Sequence, residues 1–148
     1  MRKNNDLGLL ILRITVGFLM LLHGISKFSG GLDFIKTMLS EKGLPDFLAY
    51  GVIVGEVLAP IAILIGFRTR IAAAIYAFNC LVAILMVHSS EIFSMGEHGG
   101  WAIELLGLYF FGALTLFFTG AGNIAISKQI SSKYLRLNTC KQVLTISL

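Results

Sequence analysis

Charge is scarce in this sequence. Asp, Glu, Lys and Arg together make up 14% of it, where a soluble domain carries nearer a quarter. Cysteine is scarcer still: Cys80 and Cys140 lie far apart, with no C-x-x-C anywhere. A thiol–disulfide exchange centre of the quinone-linked membrane type therefore has no motif, and two buried, inert thiols are the expectation. Proline occurs twice, at Pro45 and Pro60. No Gly-rich phosphate cradle, nucleophile elbow or paired-metal motif appears, so a soluble-type active site has nothing to be built from.

What is abundant is apolar sequence. The 148 residues are 56% hydrophobic, with mean hydropathy +0.83. Four apolar stretches stand out: Leu7–Leu22, Phe47–Phe67, Ile71–Val87 and Trp101–Phe118. Each approaches the ~20 residues a helix needs to cross a hydrocarbon core of roughly 30 Å. Helices are the consistent reading, because open sheet edges cannot face lipid. The expected fold is all-α: a polytopic membrane protein, a bundle of four transmembrane helices over residues 1–126, with a polar cytoplasmic tail over 127–148.

The net charge of +4 is a topology signal before it is a partner signal. Arg2 and Lys3 precede the first helix, Arg68 and Arg70 fill the turn between the second and third, and Lys128, Lys133, Arg136 and Lys141 lie in the tail. Three lysines, Lys27, Lys36 and Lys42, fall in the first loop, and the loop between the third and fourth helices has no Lys or Arg. That asymmetry places both termini in the cytoplasm. The partner it implies is a lipid bilayer, not nucleic acid. Arg2-Lys3 before an apolar run resembles a signal peptide, but no small-x-small site follows and Arg13 interrupts the run. The first helix is read as retained.

The first loop contains Leu32, Ile35, Met38 and Leu39 at helical spacing, with Asp33, Lys36 and Glu41 between them. A short amphipathic helix on the outer surface of the bundle fits this pattern, ended near Gly43 and Pro45.

A few polar residues sit where lipid or protein must surround them. Arg13, Gly17, Met20, Gly24 and Lys27 are spaced four, three, four and three residues apart, so they share one face of the first helix. Gly17 and Gly24 let another backbone approach that face, which points the arginine at protein. Ten residues separate Arg13 from His23, roughly 15 Å of rise, which puts the guanidinium near mid-membrane if His23 marks the outer edge. Glu56 occupies the middle of the second helix. An unpaired charge there costs about 3 kcal/mol or more, so an Arg13–Glu56 pair is expected. Pro60 cannot donate to the carbonyl of Glu56, which predicts a break and a polar pocket at that level. Gly51, Gly55 and Ala59 form a small-residue ridge suited to helix packing.

His23, Lys27, His88 and Glu104 cluster towards the outer half. Two imidazoles and a carboxylate could hold a metal, and two histidines a haem. The histidines are scattered over separate helices with no ligand spacing, so no metal is assigned; His98 reads as a solvated turn residue. Tyr76, Asn79 and Tyr109 are expected to make interhelical hydrogen bonds or sit at interfaces.

Taken together, Arg13, Gly17, His23-Gly24-x-x-Lys27-Phe28, Glu56, Gly66, Arg70, Glu104 and Gly120-x-Gly122 resemble the DoxX family of small four-helix bacterial membrane proteins, over about Leu7 to Ile126. The family's ending commonly reads Gly-Pro-Gly-Arg; here it is Gly120-Ala121-Gly122-Asn123. The resemblance implies a protein of the bacterial cytoplasmic (inner) membrane, associated by family naming with quinol oxidase and thiosulfate:quinone oxidoreductase complexes.

Arg13, His23, Lys27, Glu56, His88 and Glu104 are accordingly the candidate ligand-binding cluster, with a quinone headgroup as the expected ligand and no catalytic residue assigned. Electrons would come from a redox partner subunit. A small transporter or ion-handling protein, or a non-catalytic assembly subunit, are the alternatives. Four helices are few for a transporter, which makes homo-oligomerisation compatible with that alternative.

Overall fold

The computed structural model describes residues 2–96 and 99–126; the expected tail, Cys140 and His98 lie outside them. Five helices make up the described chain: α1 Arg2–Ser29, α2 Asp33–Glu41, α3 Asp46–Ile65, α4 Thr69–Val87 and α5 Glu104–Thr119. Among the described residues there is no β-strand. The all-helical bundle expected from hydropathy is what forms, with α2 as the short amphipathic helix of the first loop.

Stretches long and apolar enough to cross a membrane are Asn4–Lys27, Asp46–Ile65 and Thr69–Val87. The last apolar helix, Glu104–Thr119, is shorter. Its 16 residues span roughly 24 Å, less than a full hydrocarbon core. The helix begins three residues later than the apolar run suggested, because Trp101 is engaged elsewhere. Its indole donates to Ile92 O at 2.7 Å, Ala102 N donates to Ser94 O at 3.1 Å, and Met95 and Trp101 form an antiparallel bridge. Residues 91–96 and 99–103 are thereby tied together ahead of α5, which starts only after them.

The proline in α3 acts as expected, in a specific form. Val54–Leu58 is a widened, π-type turn, closed by Ala59 N donating to Val54 O. Such turns inside α-helices are rare and often sit at functional sites. Where α3 ends, Gly66 takes a left-handed conformation at φ 74°. Phe67 N donates to Ala62 O and Gly66 N to Ile63 O, at 2.9 and 3.1 Å. This is the Schellman ending, which glycine accepts without strain.

The core joins all four long elements: Val16 and Met20 of α1, Ile63 of α3, Tyr76 and Cys80 of α4, and Tyr109 and Leu116 of α5. Tyr76 Oη reaches Val16 O at 3.3 Å, the interhelical bond expected of it. On the small-residue ridge of α3, Gly55 packs against Asn79, whereas Gly51 has open space beside it. Two ends of the bundle can be told apart. At one, α2 folds across, and Lys42 Nζ donates to Met86 O in the last turn of α4 at 2.7 Å. At the other, the start of α1 meets the segment after α5.

Candidate functional site

Arg13 is fully buried, and its partner is not Glu56. Nε donates to Ile63 O at 2.9 Å and Nη2 to Leu64 O at 2.8 Å, both in the last turn of α3. Nη1 donates to Ala121 O at 3.0 Å and Ile124 O at 2.7 Å, beyond the end of α5. The guanidinium thus binds carbonyls of the last turn of α3, where a positive charge is also favoured by the helix dipole, together with carbonyls of the segment after α5. Beside it, Asn123 N and Nδ2 donate to the Asp6 carboxylate at 2.8 and 2.7 Å. Arg13 is a clasp between α1, α3 and the post-α5 segment.

The expected Arg13–Glu56 pair fails because α1 packs on α3 in a different register. Gly24 lies against Glu56 and Val57, and Gly17 against Pro60 and Leu64. One further turn along α1 brings Arg13 level with the end of α3, while Glu56 stands eight residues earlier, roughly 12 Å away along the helix. The close-approach role of both glycines is confirmed: a Cβ at Gly24 would fall 2.5 Å from Glu56 O.

Glu56 instead takes the cation at the other end of the same α1 face. Lys27 Nζ lies 2.6 Å from Glu56 Oε1, with the lysine half-exposed and the carboxylate buried. Asn79 of α4 donates to the same oxygen from 3.4 Å. Glu56 Oε2 is buried and has no hydrogen-bond partner among the described residues. A buried acceptor left unmet costs about 1–3 kcal/mol, more when charged, so this oxygen marks a place where a donor is wanted. The π-type turn is what puts it there, since it shifts Glu56 off the regular spacing of the helix.

Above the pair opens a cavity of about 1240 Å³, roofed by Phe34 and Met38 of α2. Its wall includes Glu56, Lys27, Asn79, Cys80, Trp101 and Tyr109. Five of the six candidate residues line it: His23, Lys27, Glu56, His88 and Glu104; Arg13 does not. His23 rests edge-on against the Tyr109 ring at 6.0 Å, and Tyr109 meets Tyr76 in the same manner at 6.5 Å. His88 ends α4, with Nδ1 2.8 Å from Glu91 Oε2. Glu104 opens α5 at the rim, close against Gly100. The recess is apolar in most of its wall and carries a few convergent polar groups, the ordinary build of a small-molecule site.

Three contributors escaped the sequence reading as site residues. Asn79 was read as an interhelical hydrogen bonder, which it is, but its partner is the site carboxylate. Glu91 had no signal beyond standing three residues after His88. The roof formed by α2 was legible as an amphipathic helix, though not which surface its apolar side would cover.

The DoxX family matches residues 8–89. CatD of Bacillus subtilis (strain 168), which carries a provisional oxidoreductase name, is 33% identical over 87 residues, 59% of this chain and 64% of that protein. The chain thus spans just under two thirds of CatD. An uncharacterized protein of Haemophilus influenzae (strain ATCC 51907 / DSM 11121 / KW20 / Rd) is 33% identical over 139 residues, covering 90% of this chain and 98% of its own. The inner membrane protein YqjF of Escherichia coli (strain K12) is 30% identical over 134 residues, 90% of this chain and all of that one. No solved structure matches the chain. With the matched residues carrying both Arg13 and the Lys27–Glu56 pair, the chain is a membrane protein belonging to the DoxX family.

Proposed function

We propose that this protein binds a quinone-type headgroup in the recess above Lys27 and Glu56, as an accessory of a membrane redox system. One observation carries the reading: Glu56 lines a large apolar cavity, and its Oε2 is buried with no donor among the described residues. The residues present suit such a ring. Lys27 Nζ can donate to a carbonyl, Glu56 can accept from a hydroxyl and hold its proton, and Tyr109 and His23 offer ring edges for packing. The headgroup supplies the redox chemistry; the chain binds it, orients it and keeps water from it. Electrons would pass to or from a partner subunit, and the provisional oxidoreductase name of CatD agrees with that class of role.

Orientation follows from charge. Arg68 and Arg70 lie at the end opposite α2, with Arg2 and Lys3 at the start of α1, and the 88–103 loop carries no cation. Under the positive-inside rule the Arg13 end faces the cytoplasm and the recess opens outward. A transport role is less well supported, because the Arg13 clasp and the buried Ile63 and Leu116 fill the other half of the bundle. The assembly alternative describes Arg13 well but leaves the recess without a purpose.

Trp101, the sole tryptophan, lines the cavity and reports on it. Titrating the protein in lipid nanodiscs with a para-hydroquinone should quench its fluorescence saturably, and Glu56→Gln should weaken binding about tenfold, one charge-assisted hydrogen bond. Linear, unsaturable quenching identical in both proteins would sink the proposal.

A further inference from the structure

A second, smaller cavity of about 360 Å³ lies on the lipid side of the bundle, lined by Leu19, Leu22, His23, Ser26, Lys27 and Tyr109. His23, Lys27 and Tyr109 also line the large cavity, so the two spaces share these side chains as a common wall. Within that wall the His23 and Tyr109 rings meet edge-on.

Helix packing explains the gap. α1 and α5 approach closely at Gly112, where an added Cβ would stand 2.8 Å from Val16. One turn further along, at Tyr109, the same two helices are joined by aromatic edges rather than by backbone contact. The leucines that line the smaller cavity are exposed, Leu19 at 39% and Leu22 at 49%. Such a surface is suited to acyl chains.

Size points the same way. About 1240 Å³ exceeds the roughly 300–1,000 Å³ typical of sites for compact ligands, so the recess has room for more than a ring.

We infer that the occupant is a chain-bearing amphiphile that reaches the recess sideways from the bilayer, its hydroxyl-bearing head at Glu56 Oε2 and its hydrocarbon chain leaving between α1 and α5 along Leu19 and Leu22. His23 and Tyr109 are the side chains that swing to admit it. The inference rests on the headgroup reading above and adds the tail, the route and the selectivity.

Two probes separate the claims: a para-hydroquinone bearing a ten-carbon chain and the same ring without one, each titrated against Trp101 fluorescence in nanodiscs. Membrane concentrations of each probe are measured by partitioning into protein-free discs and used for the comparison. The chain-bearing probe should bind at least tenfold tighter. Ser26→Phe, which fills the smaller cavity from an exposed position, should weaken the chain-bearing probe at least fivefold and leave the short one unchanged. Unchanged binding of the short probe by Ser26→Phe shows that the variant is folded with the headgroup site intact. Equal affinities for the two probes, or a Ser26→Phe protein indistinguishable from native, overturns the lateral route while the headgroup reading stands. Binding of neither probe overturns both.

Discussion

Gly24 of α1 presses against the main-chain carbonyl of Glu56, the carbonyl whose helical donor Pro60 has removed. Two separate backbone devices therefore meet at one point. The proline loosens α3 into a π-type turn, and the glycine lets α1 come near enough for Lys27 to reach the carboxylate that the turn presents.

Gly24→Ala should push the helices apart at that point. An overpacked methyl typically costs about 1–3 kcal/mol, so the thermal midpoint in detergent should fall by several degrees. Hydroquinone binding should fall with it, since Lys27 is drawn off Glu56. Gly8→Ala, a helical site with open space around its Cβ, is the control: it should keep binding and leave the midpoint unchanged or slightly raised. A Gly24→Ala protein as stable as native contradicts the close approach.

Pairing partners can be tested by double-mutant cycles. Lys27→Met and Glu56→Gln should be strongly non-additive, with coupling on the order of 0.5–3 kcal/mol. Arg13→Met and Glu56→Gln should add within about 0.5 kcal/mol, because they share no partner. Coupling between Arg13 and Glu56 as large as that of Lys27 and Glu56 would restore the pair that the fold separates.

Arg13→Met alone should be among the most damaging substitutions, costing on the order of 3–5 kcal/mol, since four carbonyls lose a charged donor at once. Arg13→Lys should rescue little: an ammonium is a point donor, while the guanidinium serves two chain segments through a planar fork. Protease resistance of the purified protein reports the outcome; a Lys variant as resistant as native would argue against the fork.

Much of this fold could be read directly. Span lengths follow from hydropathy, α2 from its 3.6-residue spacing, and the disturbance in α3 from Pro60. The identity of Arg13's partners could not, for a definite reason. Backbone carbonyls carry no residue signature, and a cation that binds Ile63, Leu64, Ala121 and Ile124 leaves nothing in the sequence at those positions. The visible trace is glycine: Gly66, against the guanidinium, and Gly120 and Gly122, on either side of Ala121, all take positive φ. Glu56 was found for the right chemistry and assigned the wrong cation, because Lys27, four turns from Arg13 on the same face, was placed outside the membrane interior.

Gly66→Ala tests that trace. A side chain there must hold φ near 74° and would also meet the Arg13 guanidinium and Ala125. The loss should exceed the ~1 kcal/mol expected of left-handed strain alone, measured by thermal melting. Gly99→Ala, left-handed but in open space, supplies the strain-only reference.

The Arg13 clasp also dictates an order of events during biogenesis. Half of its hydrogen bonds await residues made more than a hundred positions later, so the first helix enters the bilayer with a guanidinium that the ribosome has not yet equipped to be neutralised. Until α3 and then the last helix arrive, that charge must be sheltered by water, lipid phosphates or the insertion machinery, and a chain cut short before Ala121 would keep only the α3 half of its acceptors. Quality-control proteases that scan for polar groups in the membrane would then read the missing end of the molecule from its beginning.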